Sequence, residues 1–474
     1  MILKNLQKFS KNVALITPDS KIIKYKDLIQ SIENFKFHIK ENKKLTFLFC
    51  SNDAEIIIAY LSFLDLRNPL MLIDSSLEDK KINELINSYN PEYIFLNKNN
   101  LNQKMKKMYS INNTNGIFIN LKIKKNFLIK KKINKHLSIL LGTSGSLGSS
   151  KYVKLTNKNI EDNTKKIIKY LNLKTNDRTI TTLPFNYSYG FSIVNSHLLA
   201  GASIVLSNFS LLEQKFWKLY EDNNITNFNG VPFTYEILMK LKFNKFFNKN
   251  LKFITQAGGR MNSINLAECL KLCIKNKVNL FTMYGQTEAS PRMSYVNLSK
   301  YKNKVGSIGK VLDGCKFSLN DAYEKKILSP NIEGELIFEG NNIFKGYAES
   351  YKNLEILTNK SKLKTGDIAK FDKDGFFFIT GRKKRFIKIY GIRFGLDEIE
   401  KVLDNKFKVK FYCFGIDNKL IVTTDYPHNK KYDINKISEF LKIRKKNIEL
   451  RTNIEIPLKN NGKIDYQKLQ KYFT

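Results

Sequence analysis

A loop rich in glycine and hydroxyl residues, GTSGSLGSSK at 142–151, contains the residue types that can surround a phosphate group. Glycines allow close approach of the backbone, and backbone N–H groups and hydroxyls donate hydrogen bonds to phosphate oxygens. Lys151 ends the loop and supplies a cation. Taken alone, the loop is equally well explained as a solvated turn between a strand and a helix.

Two better-defined loop motifs fit this segment poorly. A Walker phosphate loop requires G-x-x-x-x-G-K-[ST], whereas Lys151 follows Ser150 and precedes Tyr152. A nucleophile elbow requires G-x-S-x-G, and Ser146 stands where the closing glycine belongs. Because neither motif fits, the rest of the chain must show whether the loop is part of a site.

Further segments place charged or aromatic residues beside glycine turns. In chain order they are QAGGR (256–260), MYGQTEAS (283–290), KTGDIAKFDKDGFF (364–377), GRKKRFIKIYG (381–391) and NNGK (460–463). A carboxylate among them could bind a divalent metal or accept sugar hydroxyls, and a lysine could neutralise an anion. Each segment is a weak signal alone, but their number and order are specific.

Together with the loop, these segments resemble the signature of the adenylate-forming superfamily. This superfamily includes acyl-CoA synthetases, aryl-CoA ligases, adenylation domains of peptide synthetases and firefly luciferase. The resemblance runs from Leu141 to Leu469. The loop departs from the family pattern where Ser150 replaces proline, Tyr152 replaces glycine and Asn157 replaces histidine.

The resemblance implies ATP and Mg²⁺ as cofactors and assigns roles to individual residues. The implied catalytic residues are Lys463, Glu288 and Thr287, and the implied metal ligands are Glu288 and Thr143. Tyr284 is expected near the adenine, Asp367 on the ribose hydroxyls, and Lys384 at a hinge. The full set expected to bind cofactor is Thr143, Ser144, Gly145, Ser146, Lys151, Gly258, Tyr284, Gly285, Asp367, Arg382, Lys384 and Lys388.

The segment LPFNYSYGFSIVN (183–195) lies where the superfamily has its acyl pocket, and the resemblance places Asn186, Tyr187 and Gly258 in that pocket. Members that activate α-amino acids commonly show F-D-x-S, with the aspartate pairing with the ammonium. Here the residues are F-N-Y-S, and a buried ammonium without a countercharge is costly. We therefore expect an acid that lacks a free α-amine.

The resemblance implies activation of a small-molecule carboxylic acid, whose chain length the sequence does not define, as an acyl-adenylate, followed by transfer to a thiol. The thiol is either coenzyme A or the phosphopantetheine of an acyl carrier protein. A stand-alone enzyme that loads an amino acid onto a carrier protein is the alternative. A non-catalytic basic protein that binds nucleic acid or membrane is a third hypothesis.

The elements that must position these residues alternate between strand-like and helix-like runs. Examples are the apolar EIIIAYLSFLDL, the strands PLMLID and EYIFLN, and the amphipathic TNKNIEDNTKKIIKYLNL. Such alternation predicts parallel-rich α/β sheets, and the turn-rich texture after Gly334 predicts a β-barrel-like part. We predict a large domain over 1–381, a hinge at 382–384, and a small, mobile α+β domain over 385–474.

The amino-acid composition says less about the class of protein than the motifs do. Lys and Arg total 81 against 43 Asp and Glu, for a net charge of +38, but the lysines are spread along the whole chain. That spread favours general compositional drift over a dedicated surface for polyanions, so no specific nucleic-acid partner is expected. Five widely spaced cysteines, no signal-peptide pattern and no apolar run able to span a bilayer predict a cytoplasmic protein.

Overall fold

A computed structural model describes residues 5–39, 43–143, 151–241, 246–383, 385–389, 392–416, 418–460 and 462–472. Its helices are α1 (Tyr25–Phe37), α2 (Ala54–Asp65), α3 (Asp79–Tyr89), α4 (Gln103–Met108), α5 (Asn157–Leu171), α6 (Ser188–Ala200), α7 (Gln214–Asp222), α8 (Pro232–Lys240), α9 (Ser263–Lys275), α10 (Leu396–Phe407), α11 (Ile434–Leu441) and α12 (Tyr466–Lys471).

The strands up to residue 382 are β1 (Val13–Ile16), β2 (Ile22–Lys24), β3 (Thr46–Cys50), β4 (Leu70–Asp74), β5 (Tyr93–Asn97), β6 (Tyr109–Asn115), β7 (Phe118–Ile123), β8 (Leu137–Gly142), β9 (Tyr152–Thr156), β10 (Arg178–Ile180), β11 (Ser203–Val205), β12 (Asn227–Gly230), β13 (Phe253–Gln256), β14 (Asn279–Gly285), β15 (Arg292–Asn297), β16 (Lys310–Val311), β17 (Lys316–Asn320), β18 (Lys326–Ile327), β19 (Gly334–Glu339), β20 (Tyr347–Ala348), β21 (Lys362–Phe371) and β22 (Phe377–Arg382). The later strands are β23 (Phe386–Ile389), β24 (Ile392–Gly395), β25 (Tyr412–Ile416), β26 (Lys419–Thr423) and β27 (Ile448–Arg451).

Two large sheets form the centre of the molecule. One has nine strands in the order β16-β15-β14-β13-β12-β10-β11-β1-β2, and the other has eight in the order β20-β9-β8-β4-β3-β5-β7-β6. Strands β10 to β14 of the first sheet are parallel, as are β3, β4, β5 and β8 of the second. The expected parallel-rich α/β architecture is therefore confirmed.

The parallel strands place their carboxyl ends at one edge of the nine-stranded sheet. The segments that leave this edge after β10, β12, β13 and β14 contain the F-N-Y-S, GVP, QAGG and YGQTE sequences. Ligands of open α/β sheets bind outside the carboxyl ends of the strands. Strand pairing alone thus brings three segments singled out in the sequence, F-N-Y-S, QAGG and YGQTE, to the same edge.

A five-stranded antiparallel sheet, β18-β17-β19-β21-β22, forms the predicted barrel-like part. The D-K-D-G sequence makes the tight turn between β21 and β22, where Gly375 has φ +76° and its N–H donates to the Asp372 carbonyl. The resulting register places Asp367 of β21 opposite Arg382 of β22. Two candidate site residues therefore become neighbours through one hairpin.

The segment after residue 385 has an apolar core of its own, built among others from Ile387, Leu403, Phe411 and Val422. It combines the β23–β24 hairpin and the β25-β26-β27 sheet with α10 to α12. Polar contacts join it to the rest of the chain, including Lys410 Nζ to Glu236 Oε1 at 2.6 Å. The hinge and the mobility of this segment stay predictions.

The apolar helix α2 is packed in the interior. Across the described ranges, no helix combines the length and apolarity that a bilayer crossing needs. The five cysteines are unpaired thiols.

Candidate active site

Four predicted residues lie near one another at the carboxyl edge of the nine-stranded sheet, and we call the region that they surround the cleft: Tyr284, Glu288, Asp367 and Lys463. Tyr284 is the residue before the last in β14, and its hydroxyl donates a hydrogen bond to the buried carboxylate of Asp367. Gln286 Nε2 donates to the same carboxylate at 3.0 Å. Burial, and then the charge of Asp367, raises the pKa of Tyr284, so this phenol remains a hydrogen-bond donor.

Arg382 completes the surroundings of Asp367. Its Nε lies 2.9 Å from Asp367 Oδ1, and the attraction of that carboxylate raises the pKa of Arg382. Much of the Arg382 side chain is still exposed to the cleft. A charged acceptor and a partly exposed cation are therefore held side by side, as binding of a sugar next to a phosphate would require.

Glu288 follows directly after Thr287 in the turn after β14. Its Oε1 accepts a hydrogen bond of 2.9 Å from the Tyr347 hydroxyl, and Lys151 Nζ lies 4.1 Å from the centroid of the Tyr347 ring. Tyr347 thus links the end of the glycine-rich loop to the Glu288 carboxylate.

The surroundings of Glu288 fit a magnesium ion that arrives with a nucleotide. Magnesium in such sites takes one or two carboxylates and completes its shell with phosphate oxygens and waters. Over the described part of the chain, no three His, Cys, Asp or Glu side chains gather into a self-sufficient metal site. Glu288 is half-buried and would supply one such carboxylate, and Thr143, the other predicted ligand, directly follows β8.

Glycines allow the close packing around the cleft. A Cβ atom on Gly285 would lie 2.0 Å from the Pro291 carbonyl oxygen, so no side chain fits there. Gly258 has φ +87°, and a Cβ atom on it would lie 2.4 Å from the Tyr187 hydroxyl. Gly258 and Tyr187, predicted to share the acyl pocket, are thus in contact.

The second side of the cleft comes from the start of α6. Ser188 begins this helix, and its Oγ accepts a hydrogen bond of 3.2 Å from Thr287 Oγ1. Phe185 is buried against Tyr60 in the core, with ring centroids 5.1 Å apart. Phe185 is therefore a core residue.

Lys463 reaches the cleft from the C-terminal segment. Its Nζ lies 5.5 Å from the centroid of the Tyr187 ring, and the preceding residue, Gly462, packs against Val231. Burial lowers the pKa of Lys463 to about 8, with Arg382 and Lys459 lowering it further and Glu288 and Asp367 opposing them. The predicted lysine therefore shares one electrostatic environment with the predicted carboxylates.

Several predicted residues are not placed by the structure. Ser144, Gly145, Ser146 and Lys384 lie outside the described residues, as does the side chain of Lys388 in β23. Asn186 is half-buried and forms no hydrogen bond to any described residue. The predicted role of Asn186 in the acyl pocket is therefore not supported by a hydrogen bond and stays a prediction.

Sequence reasoning missed three polar residues of the cleft: Gln286, Ser188 and Tyr347. Gln286 and Ser188 stand inside quoted motifs, so their polarity was a usable signal. The position of Tyr347 depends on the pairing of β20 with β9, where Tyr347 lies opposite Val153.

Comparison with known proteins defines the class to which this fold and cleft belong. The pattern of the AMP-binding enzyme family matches residues 5–348, and the chain belongs to this family.

Individual proteins are similar over different shares of the chain. The luciferin 4-monooxygenase of Photuris pensylvanica is 27% identical over 496 residues, covering 93% of this chain and 87% of the relative. The medium-chain fatty-acid–CoA ligase of Escherichia coli is 29% identical over 282 residues, covering 58% of this chain and 48% of the relative. The chain thus spans about half the length of several curated relatives, including 49% of the luciferin 4-monooxygenase of Nipponoluciola cruciata.

Solved structures share the fold over essentially the whole chain. The o-succinylbenzoate coenzyme A synthetase of Bacillus subtilis, in complex with ATP and a magnesium ion, has a TM-score of 0.77. Its sequence identity is 18%, with 98% of this chain and 99% of that chain covered. At this identity the likeness establishes the fold.

Proposed function

We propose that this protein activates a carboxylic acid with ATP, forming an acyl-adenylate and pyrophosphate, and then transfers the acyl group to a thiol. The observation that carries the proposal is the meeting of Lys463 with Glu288, Asp367 and Arg382 in one cleft of a chain from the AMP-binding family. The ligase names of the relatives, such as the one from Escherichia coli, support an acid substrate.

The chemical problem is the approach of two anions. A carboxylate must attack the α-phosphate of ATP, so the cleft must neutralise charge where it develops. Lys463 would approach both the carboxylate and the α-phosphate oxygens, and Thr287 would donate a hydrogen bond to the latter. Magnesium, held by Glu288 when bound, supplies charge neutralisation for the phosphates.

The remaining groups would orient the nucleotide. Asp367 would accept hydrogen bonds from the ribose hydroxyls, with Tyr284 and Arg382 beside it. Lys151 would follow the departing pyrophosphate from the end of the glycine-rich loop. Each of these groups comes from a different element, so a correctly formed cleft holds the reactants in a fixed geometry, which is itself a large part of catalysis.

After adenylation, the predicted hinge at 382–384 would let the C-terminal segment rotate and withdraw Lys463 from the cleft. A thiol could then reach the acyl-adenylate. We propose coenzyme A or a carrier-protein phosphopantetheine as that thiol. Since the surface is strongly basic, both the polyanionic coenzyme and an acidic carrier protein are complementary to it.

The acid is proposed to lack an α-ammonium group. Asn186 stands where members that activate amino acids have the aspartate of F-D-x-S, so no carboxylate is present there. In addition, Arg292 is buried against Tyr189 and places a positive charge beside the start of α6. Both features disfavour a buried ammonium, which weakens the alternative of amino-acid loading.

The test is ATP–pyrophosphate exchange by the purified protein with magnesium and a panel of fatty, aryl, hydroxy and amino acids. Exchange with at least one non-amino acid, followed by AMP release when a thiol is added, is the expected result. Exchange with amino acids alone would support the alternative function instead. Absence of exchange together with tight, salt-sensitive DNA binding would support the basic binding protein.

The pKa of Lys463 leads to a pH prediction. The protonated amine is the form that attracts both anions, so activity is lost as pH rises through the pKa of about 8. We expect kcat/KM of adenylation, which reports the free enzyme, to be level below pH 8 and to fall about tenfold per pH unit above it.

Lys463→Arg serves as the control for this profile, because a guanidinium stays charged up to a pH of about 12. The variant should be slower overall and should lack the alkaline fall. An unchanged alkaline fall in Lys463→Arg would assign the titration to another group.

A further inference from the structure

The turn that carries Lys463 has a fixed internal structure, and we call its described residues, 457–460 and 462–465, the lysine turn. The Lys459 N–H donates to the Lys463 carbonyl at 2.7 Å, and the Gly462 N–H donates to the Lys459 carbonyl at 2.8 Å. These two bonds tie Lys463 to the tip of the turn. Whatever holds the tip therefore also sets the position of the Lys463 backbone.

Asn460, at the tip of the lysine turn, contacts the eight-stranded sheet. Its Nδ2 donates to Asp74 Oδ2 at 2.7 Å and to Ser76 Oγ at 2.7 Å. These acceptors precede Asn460 by 386 and 384 positions in the chain. Both bonds therefore depend on the packing of the C-terminal segment against the rest of the protein.

The two acceptors form one unit, which we call the β4 turn (residues 74–76). Asp74 is the last residue of β4, and the Ser76 N–H and hydroxyl both donate to Asp74 Oδ1, at 2.9 and 2.7 Å. The other carboxylate oxygen and the Ser76 hydroxyl oxygen are the atoms that accept from Asn460. The β4 turn thus orients its acceptors by itself, and such preorganisation lowers the entropic cost of the contact.

The β4 turn leaves its sheet beside the glycine-rich loop. Strand β4 pairs in parallel with β8, and Leu72 lies opposite Leu141 in this pairing. Two residues further along each strand stand Asp74 and Thr143, the second residue of the glycine-rich loop. The contact with Asn460 therefore lies on the side of the site where the loop begins.

The nine-stranded sheet supports the lysine turn from another side. A Cβ atom on Gly462 would lie 2.8 Å from Val231 Cγ2, and Val231 directly follows β12. This contact is apolar and has no preferred direction. The hydrogen bonds of Asn460 are directional, so they determine the orientation of the turn more closely than the contact with Val231 does.

We infer, resting on the proposed function, that Asp74 and Ser76 are positioning residues for adenylate formation. Through Asn460 they hold the lysine turn in the orientation that directs Lys463 into the cleft. A misplacement of about 1 Å can cost a factor of about 10² in rate, so a restraint on this turn affects the chemistry. The bonds break when the C-terminal segment withdraws, and transfer to the thiol does not use them.

Asn460→Asp tests the contact, because it removes the donor and places a second carboxylate beside Asp74. We expect the rate of ATP–pyrophosphate exchange to fall by about tenfold or more, the effect of losing a hydrogen bond to a charged group. Transfer of a supplied acyl-adenylate to the thiol should keep its normal rate. Unchanged exchange, or equal losses in both half-reactions, overturns the inference.

Asn435→Asp is the matched control. Asn435 is an exposed residue of α11 in the same C-terminal segment, and the substitution changes the net charge by the same amount. Both half-reactions should keep their normal rates in this variant. A loss of exchange as large as that of Asn460→Asp would assign the effect to surface charge and overturn the inference.

The double variant Asp74→Asn, Asn460→Asp reverses the pair, since the introduced amide can donate to the introduced carboxylate. It should recover most of the exchange that Asn460→Asp loses, which a general structural defect would not do. A double variant no faster than Asn460→Asp overturns the inference.

Ser76→Ala removes one of the two acceptors and should slow exchange by about 2–10-fold, with transfer to the thiol unaffected. Thermal unfolding shows whether each variant is folded, and if Asn460→Asp is not, the result for Ser76→Ala decides. Exchange by the unmodified protein with no acid of any kind overturns the proposed function and this inference together. Normal exchange in both Asn460→Asp and Ser76→Ala overturns the inference alone.

Discussion

Lys463→Ala is expected to reduce the rate of adenylate formation by about 10²–10³-fold, the usual effect of removing one preorganised group that stabilises developing charge. The amine stands over Tyr187 within the fields of Glu288 and Asp367, where the acid and the α-phosphate would meet. The reason for the loss is electrostatic, since alanine leaves the two anions without their shared cation. Pyrophosphate exchange measures this half-reaction directly.

The second half-reaction separates a catalytic role of Lys463 from a structural one. A chemically supplied acyl-adenylate should be transferred to the thiol by Lys463→Ala at the normal rate, because this step would proceed with the lysine withdrawn. Lys468→Ala, which removes an exposed lysine from the nearby α12, should leave both half-reactions unchanged. Equal losses in both half-reactions of Lys463→Ala would contradict the proposed role.

Asp367→Asn is expected to raise the KM for ATP about 10–100-fold with a smaller change in kcat. Hydrogen bonds to charged groups contribute about 1.5–3 kcal/mol, which corresponds to about one to two powers of ten in affinity. The substitution also removes the charge that holds Arg382, and it leaves one acceptor oxygen in place of the two carboxylate oxygens that Arg382, Tyr284 and Gln286 contact. Initial rates at varied ATP concentration give both constants.

A deoxynucleotide tests whether Asp367 acts on the ribose. The unmodified protein should prefer ATP over 2′-deoxy-ATP, and Asp367→Asn should lose most of that preference. Asp372→Asn is the control. Asp372 lies in the turn directly after β21, the strand that contains Asp367, and its carboxylate pairs with Lys304 at 2.7 Å. An unchanged KM for ATP in Asp367→Asn would show that the ribose is bound elsewhere.

Much of the fold could be predicted from local patterns. The apolar run EIIIAYLSFLDL forms α2, the segments PLMLID and EYIFLN form β4 and β5, and the D-K-D-G turn forms where it was expected. These features depend on the period of apolar residues and on turn chemistry, both of which are local.

The parts of the site that local patterns missed depend on pairing between distant strands. Tyr347 meets Lys151 only because β20 pairs with β9, which begins directly after Lys151. Arg292 meets Tyr189 at the start of α6 only because β15 turns back antiparallel to β14. The sequence around Arg292 contains no motif. Polar and apolar residues do not alternate clearly along β15, so the burial of Arg292 could not be predicted from the strand alone.

The cleft gathers Arg382, Lys459 and Lys463; burial lowers the pKa of Lys463, and the charges of the other two lower it further. Such crowding of like charges would oppose docking of the C-terminal segment and would be relieved when a polyphosphate enters between them. We therefore propose that ATP acts as the counterion of domain docking as well as a reactant, so that nucleotide binding would favour the arrival of Lys463.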